Sequence, residues 1–281
     1  MLAYEEQGRG PTVVFLHGFA GARGQWRAYL PAVAAAGFHA YAVDLPGHGQ
    51  SPPLVTRPSS ALAWAETVHA WLDAHITPPV HLVGHSLGGY LALAYAERSP
   101  ERVASLALFA PLIADEAIRP SARWWVRLAN RLPWLPRHWP PGMAPLLRVA
   151  YRLYPEARTM RPEQRSQRVA ELMAMSPRAV WAVAQVPDLR PRVAGLPIRT
   201  WIVVGGQDRV LLPQAYPTLK ANLPRARLEI LPTAGHILHL TEAEALRPAL
   251  VNWLRGHDPS GAPQAARTSA GNTSPAGPRS T

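Results

Sequence analysis

Three residues far apart in the chain have the types that nucleophilic acyl transfer needs, and each sits at a glycine-marked turn: Ser86, Asp208 and His236. A serine hydroxyl is a weak nucleophile until a base takes its proton, and that base needs a carboxylate to orient it. Ser86 lies in Leu82-Val83-Gly84-His85-Ser86-Leu87-Gly88-Gly89, an apolar run that breaks at the glycine before a second apolar run starts. Glycine and serine are common, so the G-x-S-x-G pattern alone is weak. Its setting carries the weight. Val80 to Val83 reads as a strand and Leu87 onward as a helix, the strand-turn-helix context of a nucleophile elbow. Such a turn strains the serine backbone and admits only small residues two positions away, a need that Gly84, Gly88 and Gly89 meet. The backbone N–H groups at the start of the helix also lie where a developing oxyanion is stabilised.

The rest of the triad should follow in the order acid, then base. Asp208 comes just after a predicted strand, in Gly205-Gly206-Gln207-Asp208, where catalytic groups collect at strand C-termini in open α/β sheets. His236 follows the next predicted strand, in Pro232-Thr233-Ala234-Gly235-His236. Two alternatives stay open. His239 competes as the base, although it falls where a helix begins, and Asp115 competes as the acid because it follows the strand ending at Phe109.

Strands alternate with helical stretches, which argues for βαβ units and a mostly parallel sheet with helices on both faces. Strands are expected at Thr12 to Leu16, Phe38 to Val43, Val80 to Val83, Val103 to Phe109, Thr200 to Val204 and Arg227 to Leu231. Helices are expected at Gln25 to Ala36, Ser60 to His75, Leu87 to Arg98, about Pro213 to Asn222 and about Thr241 to Leu254. The alternation fails between Pro111 and Pro197, where helical segments are broken by prolines and no strand is convincing. An insertion of this kind is usually a lid. These patterns divide the chain into a core of residues 1–110 and 198–255, a helical cap over 111–197, and a polar tail at 256–281 expected to be disordered.

The elbow, together with His17-Gly18-Phe19-Ala20-Gly21 and Asp44-Leu45-Pro46-Gly47-His48-Gly49-Gln50-Ser51, resembles the α/β-hydrolase fold family with a helical cap domain. The resemblance runs over residues 12 to 110 and 197 to 255. It implies an oxyanion hole made by the backbone N–H groups of Phe19 and Leu87, with His17 and His48 shaping loops and His85 packing behind the elbow. Ser86 itself departs from the dehalogenases and epoxide hydrolases of this fold, which place an aspartate there. The family usually opens with a β-hairpin; this chain offers only Leu2 to Glu6 as a candidate strand, so the first strand is missing or the start misassigned. The activity implied is that of a carboxylesterase-like serine hydrolase acting on a small-molecule carboxylic ester or related acyl compound, without cofactor or metal. The alternatives are a C–C bond hydrolase, lyase or perhydrolase with the same triad, and a catalytically silent binding protein on the same fold.

Composition narrows the classes further. A formal net charge of +11 could suggest nucleic acid, but Lys220 is the only lysine and the remaining cations are arginines dispersed through the chain. That reads as compositional bias, and no nucleic-acid partner is expected. With no cysteine there is no disulfide framework and no thiolate chemistry. The N-terminus lacks a basic-then-apolar leader and no apolar run is long enough to span a bilayer, so a cytoplasmic protein is the expectation. Within the cap, Trp124, Trp125, Leu128, Leu132, Trp134 and Leu135 mark an aromatic and aliphatic helix face. Arg119, Arg123, Arg127 and Arg131 recur at four-residue spacing along it, a basic stripe that would suit an acidic substrate, an acyl carrier protein or a membrane surface, or simply face solvent.

Overall fold

Val13, Val14, Phe15 and Leu16 are completely buried, so their strand is covered on both faces, the condition under which parallel strands are stable. The computed structural model describes residues 1–54, 60–121, 160–183 and 185–257, with isolated positions between 122 and 159. Its strands are β1 (Tyr4–Gly8), β2 (Thr12–Leu16), β3 (His39–Val43), β4 (Val80–His85), β5 (Val103–Phe109), β6 (Arg199–Gly205) and β7 (Ala226–Leu231). They form a single sheet in the order β1-β3-β2-β4-β5-β6-β7, with β1 antiparallel to β3 and the rest parallel. The chain runs from β2 outward to β3, then crosses back to β4. That reversal opens a crevice between the C-terminal ends of β2 and β4, where ligands bind in open sheets of this kind.

The described helices are α1 (Leu30–Ala35), α2 (Ala61–His75), α3 (Leu87–Arg98), α4 (Pro162–Ala174), α5 (Tyr216–Asn222), α6 (Leu238–Thr241) and α7 (Ala243–Leu254). Strand alternation divides the core in two. Val14 and Leu16 join the cluster that includes α2 and α3, while Val13 and Phe15 join one built with Trp26, α1 and α7. Ser60 starts α2 by accepting the Ala63 amide on its hydroxyl at 3.2 Å, which caps a donor that the helix leaves orphaned.

Several expected boundaries move for local reasons. The helix expected over Gln25 to Ala36 is a 3₁₀ turn at Arg23–Trp26 followed by α1, whose Pro31 lies in the first turn and has no N–H to continue an earlier helix. The first strand lies at Tyr4–Gly8 and not at Leu2 to Glu6, because its register on β3 runs from Tyr4 opposite Val43 to Gly8 opposite His39. The last helix is preceded by the separate short α6. Between Pro111 and Pro197 the described residues include α4 and 3₁₀ segments at Asp115–Ala117 and Pro177–Val183, and their one β-bridge pairs Ile118 with Leu211. Of the basic stripe, Arg123 is paired with Asp115 and Arg119 donates to the Asp208 carbonyl, while Arg127 and Arg131 are exposed. The structures of Trp125, Leu128, Leu132, Trp134, Leu135 and of residues 258–281 lie outside the described residues.

Candidate active site

Ser86 follows β4 at φ 50° and ψ −114°, a left-handed conformation that costs a non-glycine residue on the order of 1–3 kcal/mol. The turn is held from both sides. The Ser86 amide donates to the Phe109 carbonyl at 3.0 Å, and its carbonyl accepts the amides of Tyr90 and Leu112 at 3.1 and 2.9 Å. There is no room for larger neighbours: a Cβ on Gly84 would lie 2.5 Å from the Gly88 oxygen, and one on Gly88 would lie 2.1 Å from the Leu16 oxygen. The second contact shows how closely the elbow approaches the end of β2.

Asp208 and His236 arrive on loops that are tied to each other. The Gly206 amide donates to the Leu231 carbonyl at 2.8 Å and the Gln207 amide to the Ala234 carbonyl at 3.0 Å. The Asp208 carboxylate divides its oxygens. Oδ1 accepts the amides of Val210 and Leu211 at 2.7 and 2.8 Å, and Oδ2 faces His236 Nδ1 at 2.8 Å. An acceptor there places the imidazole proton on Nδ1, leaving the Nε2 lone pair to accept the Ser86 hydroxyl at 3.0 Å. Burial pushes the Asp208 carboxyl upward, but the His236 charge, its hydrogen bond and the two amides prevail and hold it below the usual range. All three side chains are buried.

The structure therefore brings Ser86, His236 and Asp208 into one hydrogen-bonded line. Leu87 follows Ser86 in the chain, and Phe19 follows Gly18, on which a Cβ would lie 3.0 Å from the Ser86 Cβ; among the described residues the N–H of neither has an acceptor. His239 points elsewhere: its Nε2 meets Gln25 Oε1 at 2.9 Å. Asp115 is engaged by Arg123.

The other buried histidines have constrained tautomers. His17 receives the Leu45 amide on Nε2 at 3.0 Å and donates from Nδ1 to the Gly18 carbonyl at 2.8 Å. His48 donates from Nδ1 to Pro46 at 3.0 Å and receives the Ala20 amide on Nε2 at 3.3 Å. Burial lowers both to a pKa of about 3. The Asp44 carboxylate anchors the adjoining loop through the amides of Arg23 and Gln50 and the Arg23 guanidinium. His85 donates from Nε2 to the His236 carbonyl at 3.0 Å. Sequence reasoning missed Gln25, Arg168 and Glu171, three buried polar residues that meet near this line. No local motif marks them, since their partners lie up to 214 residues away. Among the described residues no group of three or more His, Cys, Asp or Glu side chains is placed to hold a metal ion, and no helix is long and apolar enough to cross a membrane.

The chain is 33% identical over 261 residues to the dihydrolipoyllysine-residue acetyltransferase component of an acetoin cleaving system from Pseudomonas putida. That match covers 90% of this chain but 66% of the relative, so the chain spans just under two thirds of that protein's length. It is 25% identical to a 2-hydroxy-6-oxo-6-phenylhexa-2,4-dienoate hydrolase from Burkholderia cepacia, covering 89% of each chain. Among solved structures, a malate-bound thermophilic esterase from Thermogutta terrifontis superposes with a TM-score of 0.75 at 26% identity, covering 91% of this chain and 93% of that one. These three proteins are named for different reactions. The family model of the alpha/beta hydrolase fold matches residues 11–243, from the residue before β2 to the first residue of α7; the chain belongs to the alpha/beta hydrolase fold family.

Proposed function

We propose that the protein is a serine hydrolase that cleaves a carboxylic ester or related acyl compound through an acyl-enzyme. The observation that carries this reading is the line Asp208–His236–Ser86, closed at 2.8 and 3.0 Å at a strained elbow. His236 Nε2 takes the Ser86 proton as Oγ attacks the substrate carbonyl. Asp208 holds the Nδ1–H tautomer and stabilises the imidazolium that forms. The N–H groups of Phe19 and Leu87 receive the oxyanion, and protonated His236 returns its proton to the leaving alcohol. Water, activated by the same imidazole, then releases the acid and restores the serine. In this reading residues 111–197 form a cap whose ends are rooted in the core, since Ile113 and Leu189 are fully buried in the α2–α3 cluster.

The test is hydrolysis of p-nitrophenyl esters from acetyl to palmitoyl by the native protein and by Ser86→Ala. The expected result is cleavage by the native protein and a loss of at least about a thousandfold in the variant. Equal rates for the two proteins would refute the assignment of Ser86. A second reading, C–C bond hydrolysis with the same residues, is favoured by the full-length similarity to the dienoate hydrolase. Under that reading a vinylogous 1,5-diketone is cleaved to two products while simple esters are not.

A further inference from the structure

Helix α4 turns two charged side chains inward, Arg168 at 8% and Glu171 at 6% exposure. Glu171 gathers three donors. Its Oε2 accepts from Arg168 Nη1 at 2.5 Å and from Gln25 Nε2 at 2.7 Å, and its Oε1 accepts from Gln167 Nε2 at 2.9 Å. Arg168 Nη1 also donates to the Ala20 carbonyl at 3.0 Å. Ala20 directly follows Phe19, at φ 56°, and its own amide donates to His48.

The other branch leads to the base. Because Gln25 gives its amide N–H to Glu171, its oxygen must face His239, which requires a proton on His239 Nε2 at 2.9 Å. The His239 ring packs on His85 with centroids 4.0 Å apart, and the Tyr29 hydroxyl donates to the His239 carbonyl at 2.7 Å. His85 in turn donates to the His236 carbonyl. The network thus touches both loops that must be placed for acyl transfer, one bearing the Phe19 N–H and one bearing His236.

A buried ion pair is a poor device for stability alone, since well-packed apolar residues of similar volume often serve as well or better. Its connections suggest another use. We propose that Glu171 is a positioning residue: one carboxylate on α4 aims Arg168 at the Ala20 carbonyl and Gln25 at His239, setting the Phe19 N–H and the His236 loop together. This rests on the reading of Ser86 as the nucleophile. The benefit falls on the transition state, because the aim of an oxyanion donor matters only as charge develops on the substrate oxygen.

The experiment is phosphonylation of Ser86 by a fluorophosphonate, followed by intact-protein mass spectrometry over a range of reagent concentrations. The Ser86 oxygen–phosphorus bond forms, the phosphorus–fluorine bond breaks, fluoride leaves and His236 takes the hydroxyl proton. Two variants are compared with the native protein: Glu171→Gln, and Arg168→Met combined with Glu171→Leu, which replaces the ion pair with apolar volume and keeps the test decisive if the single variant does not fold. The expected result is a maximal rate lower by about 30-fold, less than the 10²–10³-fold cost of losing an oxyanion donor outright, with the half-saturating concentration changed by less than about threefold. Folded variants that react at the native maximal rate, or that differ only in half-saturating concentration, overturn the proposal. A native protein that is not labelled at Ser86 overturns the serine-hydrolase reading and this inference with it, a result distinguished by the failure of the native protein rather than the variants.

Discussion

His17 and His48 make stability depend steeply on mild acid. Each is fully buried with both ring nitrogens engaged, and burial lowers each from about 6.5 to a pKa of about 3. Between these values the unfolded chain binds protons that the folded protein refuses, so stability is complete above pH 6.5 and is lost as the pH falls toward 3. One such histidine costs about 1.4 kcal/mol per pH unit, or about 2 kcal/mol between pH 6.5 and pH 5, and the pair about 4 kcal/mol. That is a large part of the roughly 5–15 kcal/mol that holds an ordinary protein folded. His69 and His81, lowered to about 4, add to it in the same direction. Depressed carboxyls such as Asp208 contribute only at lower pH, below their ordinary value near 3.8, so the window from pH 6 to pH 4.5 belongs to histidine. Urea unfolding followed by tryptophan fluorescence at pH 7, 6, 5.5 and 5 reads this directly. In His48→Gln, whose amide does not titrate, the slope should be shallower by about 1.4 kcal/mol per pH unit. A native protein equally stable at pH 7 and pH 5, or a variant with an unchanged slope, would refute the reasoning.

Asp208→Asn should fold normally yet lose on the order of 10⁴-fold in ester turnover, because the new amide donates to His236 Nδ1 and shifts the proton to Nε2, where none can be accepted from Ser86. Stopped-flow or steady-state ester assays would show it; a loss below tenfold contradicts the tautomer argument. Gly88→Ala places a carbon 2.1 Å from the Leu16 oxygen and should abolish cooperative thermal unfolding or lower the melting temperature sharply. Gly37→Ala has the same atom added at φ 91° with nothing within 4 Å, so its cost should be the backbone term alone, about 1–2 kcal/mol. Similar melting temperatures for the two variants would show that the contact at Gly88 is not limiting.

The elements of the sheet were legible because buried parallel strands are short apolar runs with a glycine close behind, as at Thr12 to Leu16 before Gly18 and Val80 to Val83 before Gly84. Ser86, Asp208 and His236 were legible as candidates for a related reason: Ser86 directly follows β4, and Asp208 and His236 sit in the short loops after β6 and β7, so all three fall at the C-terminal ends of parallel strands. Chain boundaries governed by proline geometry or by pairing, such as the start of α1 and the register of β1, were less so. The network of Gln25, Arg168 and Glu171 was not legible at all. Arg168 and Glu171 are charged and so read as the solvent side of a polar helix, although the apolar Val169, Leu172 and Met173 beside them mark the face that turns inward. Only the docking of α4 against the loop after β2 reveals that those charges are buried, and no local pattern encodes a partner 146 residues away.

The lacing of distant segments at this site has a consequence for how the protein is made. Ser86 can reach His236 only when residues 150 positions apart are both available, and Gln25 meets His239 across 214. A nascent chain grows at about 5–20 residues per second, so about 8–30 s separate the emergence of Ser86 from that of His236. Throughout that interval the elbow lacks the loops from β6 and β7 that complete it. On the proposed reading, catalytic competence therefore comes late in synthesis, and a ribosome-bound chain truncated before β6, which lacks Asp208 and His236, should hold Ser86 in a form that does not react.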